Sequence, residues 1–81
     1  MREAVVVYTS PGCPDCVAVK RCLSDHGVAC LERDITAPGV ADEAKSRYGV
    51  RVAPITVIGH VFLYGTFAQQ KPSLDQALAS L

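Results

Sequence analysis

Cysteines stand at positions 13, 16, 22 and 30 of this 81-residue chain, and the spacing of the first two carries chemistry. Cys13-Pro14-Asp15-Cys16 sets two thiols three residues apart. If a helix begins there, both sulfurs lie on one face and reach bonding distance without moving the backbone. Such a pair serves either thiol–disulfide exchange or half of a tetrahedral metal site. Exchange needs a thiolate. A cysteine at a helix N-terminus meets unpaired N–H groups and the positive end of the helix dipole, which in Cys-x-x-Cys proteins lower its pKa to roughly 3.5–7.5. Cys13 is placed to be that nucleophile, and Cys16, one turn deeper, to be the resolving thiol. Cys13 attacks a target disulfide, Cys16 attacks the mixed disulfide, and the pair ends oxidised. A structural metal site needs two more ligands. Cys22 and Cys30 do not fall at a ligand-pair spacing and read as small buried hydrophobes, so no metal ligand is assigned. A metal or iron–sulfur carrier using Cys13 is the alternative reading.

Two further features belong beside this pair. Asp15, early in the helix, suits the dipole, but its negative charge raises the pKa of a neighbouring thiol. Ala53-Pro54 precedes an apolar segment, and an X-Pro bond can be cis at modest cost. A cis bond there would offer the Ala53 N–H and C=O to an extended substrate, which could pair with them as an added strand.

The elements that must hold these residues follow from pattern. Ala4 to Thr9 is a valine-rich apolar run, as expected of a strand buried on both faces. Pro14 suits the first position of a helix running to about His26, with Val19, Cys22 and Leu23 as its apolar stripe and Gly27 as its stop. Val28 to Asp34 reads as a second strand and Val40 to Tyr48 as a short helix closed by Gly49. Ile55–Ile58 and Val61–Tyr64 flank a Gly59-His60 turn as a hairpin. Gly65 to Pro72 reads as a loop, and Ser73 to Leu81 as a last helix with Ser73 as its N-cap. The order is βαβαββα, an α/β fold in one domain, 1–81.

Composition narrows the class. Lys plus Arg and Asp plus Glu number eight each, so no net charge suggests nucleic acid or a membrane surface as partner. Hydrophobic residues make up 49%, which indicates a folded globular chain. The run after Met1-Arg2-Glu3 is too short to span a membrane and lacks a signal-peptide cleavage pattern, so the expected location is cytoplasmic and the expected state a monomer.

Tyr8-Thr9-Ser10-Pro11-Gly12-Cys13-Pro14-Asp15-Cys16 with Lys20, Asp34-Ile35, Val52-Ala53-Pro54 and Gly65 resembles the glutaredoxin family and the small redoxins dedicated to ribonucleotide reductase. The resemblance covers nearly the whole chain. It implies a three-layer thioredoxin-like fold, with a four-stranded mixed sheet flanked by three helices, and a protein-disulfide reductase that binds no cofactor. Cys13 and Cys16 would be catalytic; Tyr8, Pro14, Asp15, Val52, Ala53, Pro54 and Gly65 would meet the substrate. Ser10 stands where glutaredoxins usually carry a glutathione-binding Lys or Arg. Val52-Ala53-Pro54 stands where they usually have Thr-Val-Pro, and Gly65 followed by Thr66-Phe67-Ala68-Gln69-Gln70 stands where they usually have a Gly-Gly pair followed shortly by Asp. With those anchors gone, the implied reductant is a thioredoxin-reductase-like flavoprotein with NADPH in place of glutathione. The implied partner is a disulfide-bearing protein such as ribonucleotide reductase.

Overall fold

β-Branched residues crowd two segments, β1 (Val5–Thr9) and β3 (Ile55–Ile58), and these are the central strands of the computed structural model, which describes residues 5–80. All of β3 and nearly all of β1 is buried, whereas β2 (Leu31–Asp34) and β4 (Val61–Tyr64) are exposed edge strands. The sheet order is β2-β1-β3-β4. β1 runs parallel to β2 and antiparallel to β3, and β3 runs antiparallel to β4, giving a mixed sheet. The expected strand start at Ala4 and the end of the last helix at Leu81 lie outside the described residues.

Alternation along the strands sorts the core into two faces. Val5, Val7 and Ile58 pack with Val19 and Leu23 of α1 (Pro14–Asp25) and with Leu74 and Leu78 of α3 (Phe67–Ala79). Tyr8, Ile55 and Val57 point the other way, against Val40 and Ala44 of α2 (Val40–Tyr48). The result is the expected three-layer α/β architecture with thioredoxin-like topology. Truncating a fully buried side chain such as Leu23 to alanine costs about 2–5 kcal/mol, a large part of the stability of a chain this small.

The Tyr8 hydroxyl reaches through to α2 and donates to Glu43 Oε2 at 2.6 Å, where Arg33 Nε also donates at 3.0 Å. Burial and the facing carboxylate push the Tyr8 pKa up. The Tyr8 hydroxyl, reinforced by Arg33, holds the Glu43 carboxyl below its ordinary range. This arrangement pins α2 to the sheet. None of the described helices is long and apolar enough to cross a membrane.

Two expected boundaries move. The second strand starts at Leu31, not Val28. Gly27, at φ 69°, ends α1 with its N–H on Ser24 O, and Val28 N–H turns back to Leu23 O at 2.9 Å. Val28 therefore closes the helix, and Cys30 sits half-buried ahead of the strand. The last helix starts at Phe67, not Ser73, so most of the expected 65–72 loop is helical. Thr66 is its N-cap, in a reciprocal capping box with Gln69. Pro72 lies inside the helix and supplies no N–H to Ala68 O, but Ala68 is exposed and water can take that carbonyl.

Candidate active site at the start of the first helix

The chain leaves β1 at Thr9, turns through residues 10–12 and enters α1 with Cys13 as the N-cap. Cys13 has extended backbone angles (φ −95°, ψ 106°), and its sulfur accepts the Cys16 backbone N–H at 3.1 Å. The thiol thus stands where a capping serine or aspartate oxygen would. Pro14 fills the first helical position, where a missing N–H costs nothing. Cys13 and Cys16 are joined as a disulfide, with Cα atoms 5.2 Å apart. Cys13 is half-exposed and Cys16 only 2% exposed, so one sulfur can be approached and the other is sheltered. When the bridge is reduced, the Cys16 N–H and the helix's positive end both favour a Cys13 thiolate.

An open cleft of about 660 Å³ adjoins the pair, lined by Thr9, Ser10, Pro11, Gly12, Pro14, Val17, Lys20, Glu32 and Asp34 besides the two cysteines. Its far wall is a polar cluster. Thr9 Oγ1 donates to Glu32 Oε2 at 2.8 Å and Lys20 Nζ to the same oxygen at 3.1 Å, holding the Glu32 carboxyl below its ordinary range. Lys20 is thus engaged with Glu32, one helical turn from Cys16.

Asp15 faces the opposite side of the motif. Its Oδ1 accepts the Phe67 backbone N–H at 3.1 Å, tying α1 to the start of α3. The Thr66 N–H is taken by Gln69 Oε1 at 2.8 Å, so the leading amides of α3 are capped by the chain's own side chains.

The Ala53–Pro54 peptide is cis. Tyr8 pairs with Ile55, so Thr9 and Pro54 continue to the same end of the sheet, from which the cysteine loop departs. Pro54 is buried, Ala53 half-buried, and Val52 is 46% exposed. Gly65 has φ 107°, a backbone angle that L side chains rarely adopt, and a Cβ there would meet Gln69 Oε1 at 2.5 Å. Gln70 joins these segments: its Nε2 donates to Pro54 O and to Gly65 O, each at 3.0 Å.

The structure thus brings Cys13, Pro14 and Cys16 together on one cleft and ties Gly65 to Pro54 through Gln70. It does not bring Tyr8 to this surface. That side chain is 1% exposed and turned toward α2, because along β1 even-numbered residues face α2 and odd-numbered ones α1. Sequence reasoning missed Phe67 and Gln70, both lost in the supposed loop; the Thr66-x-x-Gln69 capping pattern was the signal that a helix begins there.

Comparison with known proteins agrees with this geometry. The glutaredoxin family profile matches residues 5–63, more than half of the chain. The chain belongs to the glutaredoxin family and is a thiol–disulfide oxidoreductase with a Cys13–Cys16 redox pair. Among solved structures it is similar to the thioredoxin-like protein BC3987, at 32% identity and TM-score 0.76 over 90% of this chain and 97% of that one. It is also similar to a glutaredoxin from Brucella melitensis, at 30% identity and TM-score 0.72 over 98% of this chain and 86% of that one. The fold is shared with NrdH-redoxin from Escherichia coli, at 22% identity and TM-score 0.73 over 90% of this chain and 92% of that one. No curated protein sequence matches significantly.

Proposed function

We propose that the chain is a cytoplasmic, monomeric protein-disulfide reductase recharged by an NADPH-dependent flavoprotein of the thioredoxin-reductase type, with a disulfide-bearing enzyme such as ribonucleotide reductase as its target. The observation that carries the reading is the Cys13 sulfur at the N-cap of α1, receiving an N–H and backed by sheltered Cys16. In the reaction, the Cys13 thiolate attacks one sulfur of the target disulfide and the other target sulfur leaves as a thiolate. Cys16, after losing its proton, attacks Cys13 Sγ and expels the second target sulfur. Two electrons pass to the target, and the bridge Cys13–Cys16 remains. The flavoprotein's dithiol reduces it by the same exchange, and NADPH restores the flavoprotein.

Two observations favour this reductant over glutathione. Ser10, on the cleft wall, carries no charge to pair with a glutathione carboxylate. At the start of α3, where helix amides could receive such a carboxylate, Asp15 and Gln69 already occupy the Phe67 and Thr66 N–H groups, and Asp15 adds a like charge. NrdH-redoxin, whose fold this chain shares, is itself described as a glutaredoxin-like protein with a thioredoxin-like activity profile.

Coupled assays of NADPH oxidation test the reading, one through thioredoxin reductase and one through glutathione and its reductase. Faster turnover through the flavoprotein is expected, and faster turnover through glutathione would overturn the choice of reductant. A brown, cluster-bearing dimer on anaerobic purification would favour the iron–sulfur alternative.

A further inference from the structure

Gln70 is buried to 2% exposure at the end of the first turn of α3, an unusual place for a carboxamide. Both polar atoms of its carboxamide are engaged in hydrogen bonds. Nε2 spends its two hydrogens on two carbonyls, Pro54 O and Gly65 O, each at 3.0 Å. Oε1 accepts the Thr56 hydroxyl at 2.7 Å. Two stretches of the chain meet on one side chain: Pro54 and Thr56, at and just inside the start of β3, and Gly65, just after β4. Both carry residues at the substrate edge.

We propose that Gln70 is a positioning residue for protein substrates. It clamps the Ala53–Pro54 turn to Gly65 and so fixes the backbone edge that an extended substrate pairs with while its disulfide lies over Cys13. The inference rests on the reading of this chain as a protein-disulfide reductase and adds how such a substrate is held. Its logic is one of remaining polar groups. Pro54 has no N–H, and its carbonyl is taken by Gln70. The β1–β3 ladder ends at the Tyr8–Ile55 pair, which leaves the Ala53 N–H and C=O beyond it as the groups for strand pairing. A clamp that lets the Pro54 carbonyl swing would also turn the neighbouring Ala53 peptide groups. A small disulfide needs no such edge, only the cysteines. Gln70 should therefore govern protein disulfides and leave small ones alone.

The chemistry of the clamp names the variants. Glutamate keeps an oxygen for the Thr56 hydroxyl but sets an acceptor against two carbonyls. Gln70→Glu thus opens the clamp. Thr56→Val removes the third contact and leaves both clamping bonds, so it controls for mere loss of a buried hydrogen bond. Fully reduced protein is mixed with insulin or with bis(hydroxyethyl) disulfide, and single-turnover reduction is followed by alkylating the thiols. This readout needs no reductase. In Gln70→Glu the half-saturating insulin concentration should rise about fivefold to tenfold, as expected for loss of one well-placed substrate hydrogen bond, while the limiting rate and the small-disulfide rate hold. Thr56→Val should melt earlier but keep the wild-type half-saturation. An unchanged insulin half-saturation in Gln70→Glu, or an equal rise in Thr56→Val, would overturn the proposal.

If Gln70→Glu does not fold, the Cys16→Ser protein trapped as a mixed disulfide with a substrate peptide supplies the test. Its Gln70 side-chain amide should stay protected from solvent exchange, and the Ala53 amide should become protected on trapping. Rapid exchange at either one refutes the clamp. Wild-type protein that reduces the small disulfide but not insulin would instead refute the protein-disulfide reading itself.

Discussion

Asp15 joins the redox motif to the third helix, and two substitutions separate what its charge does from what its oxygen does. Its Oδ1 accepts the Phe67 N–H at the first position of α3, in a half-buried setting. Asparagine keeps an oxygen there and loses the charge. Alanine loses both and leaves the N–H unpaired. A lost helix-capping acceptor costs about 0.5–2 kcal/mol, and an orphaned, partly buried N–H lies at the upper end of that range. Replacing the charge alone, near a helix N-terminus, costs about 0.3–1 kcal/mol. Asp15→Ala should thus be about 1 kcal/mol less stable than Asp15→Asn, which for a domain of this size lowers the melting temperature by a further 4–8 °C or so. Thermal and urea unfolding of the oxidised proteins, followed by circular dichroism, measures the difference. The ultraviolet absorbance of the reduced proteins against pH reports the second effect. Without a negative charge beside it, the Cys13 thiolate should form at lower pH in both variants. Equal stability of the two variants would refute the capping role of the oxygen. A thiolate titration unmoved or moved upward would refute the electrostatic one.

Glutathione-supported turnover should rise in the order wild type, Asp15→Asn, Asp15→Ala, as first the like charge and then the blocking oxygen is removed; an unchanged rate in all three would show that the start of α3 does not control this choice. Glu43 titrates below its ordinary range because of Tyr8 and then Arg33, so its contribution to stability is complete above the unfolded-state value and is lost as pH falls through the folded one. Acid unfolding of Glu43→Gln should accordingly show a flatter loss of stability below about pH 5 than wild type, and parallel curves would contradict the linkage. Gly65→Ala should destabilise by about 1–3 kcal/mol, from the backbone angle and the contact with Gln69 Oε1 that disturbs the capping box; calorimetry finding wild-type stability would argue against both. Burial, chiefly, pushes the thiols of Cys22 and Cys30 up, so alkylation of the reduced protein near neutral pH should label Cys13 well before either, and peptide mass spectrometry gives the order.

The redox pair was legible because its signals are local. Pro14 suits a first helical position, Gly27 a helix end, and Cys-x-x-Cys is a motif in four residues. The cis Ala53–Pro54 bond was legible too, since a proline ahead of a buried strand has few other uses. What failed did so for identifiable reasons. Pro72 argues against a helix so strongly in sequence that it masked the capping box at Thr66, whereas in the fold an exposed Ala68 carbonyl lowers the cost of keeping it. Tyr8 ends a run of valines that is apolar on both faces, so its period does not say which face it takes; only the packing of α2 decides. Gln70 was invisible because its partners, Pro54, Thr56 and Gly65, all lie outside its own helix, and no spacing within the chain announces them.

The most direct measurement is to trap the reaction halfway. Reduced Cys16→Ser protein, which keeps Cys13 but cannot resolve, is mixed with a protein disulfide, and the product is mapped by non-reducing peptide mass spectrometry. A stable mixed disulfide at Cys13, formed in high yield near neutral pH and absent from Cys13→Ser, is the predicted result. Adducts at Cys22 or Cys30 in its place, or no adduct while wild type still reduces the target, would contradict the assignment of Cys13 as the nucleophile.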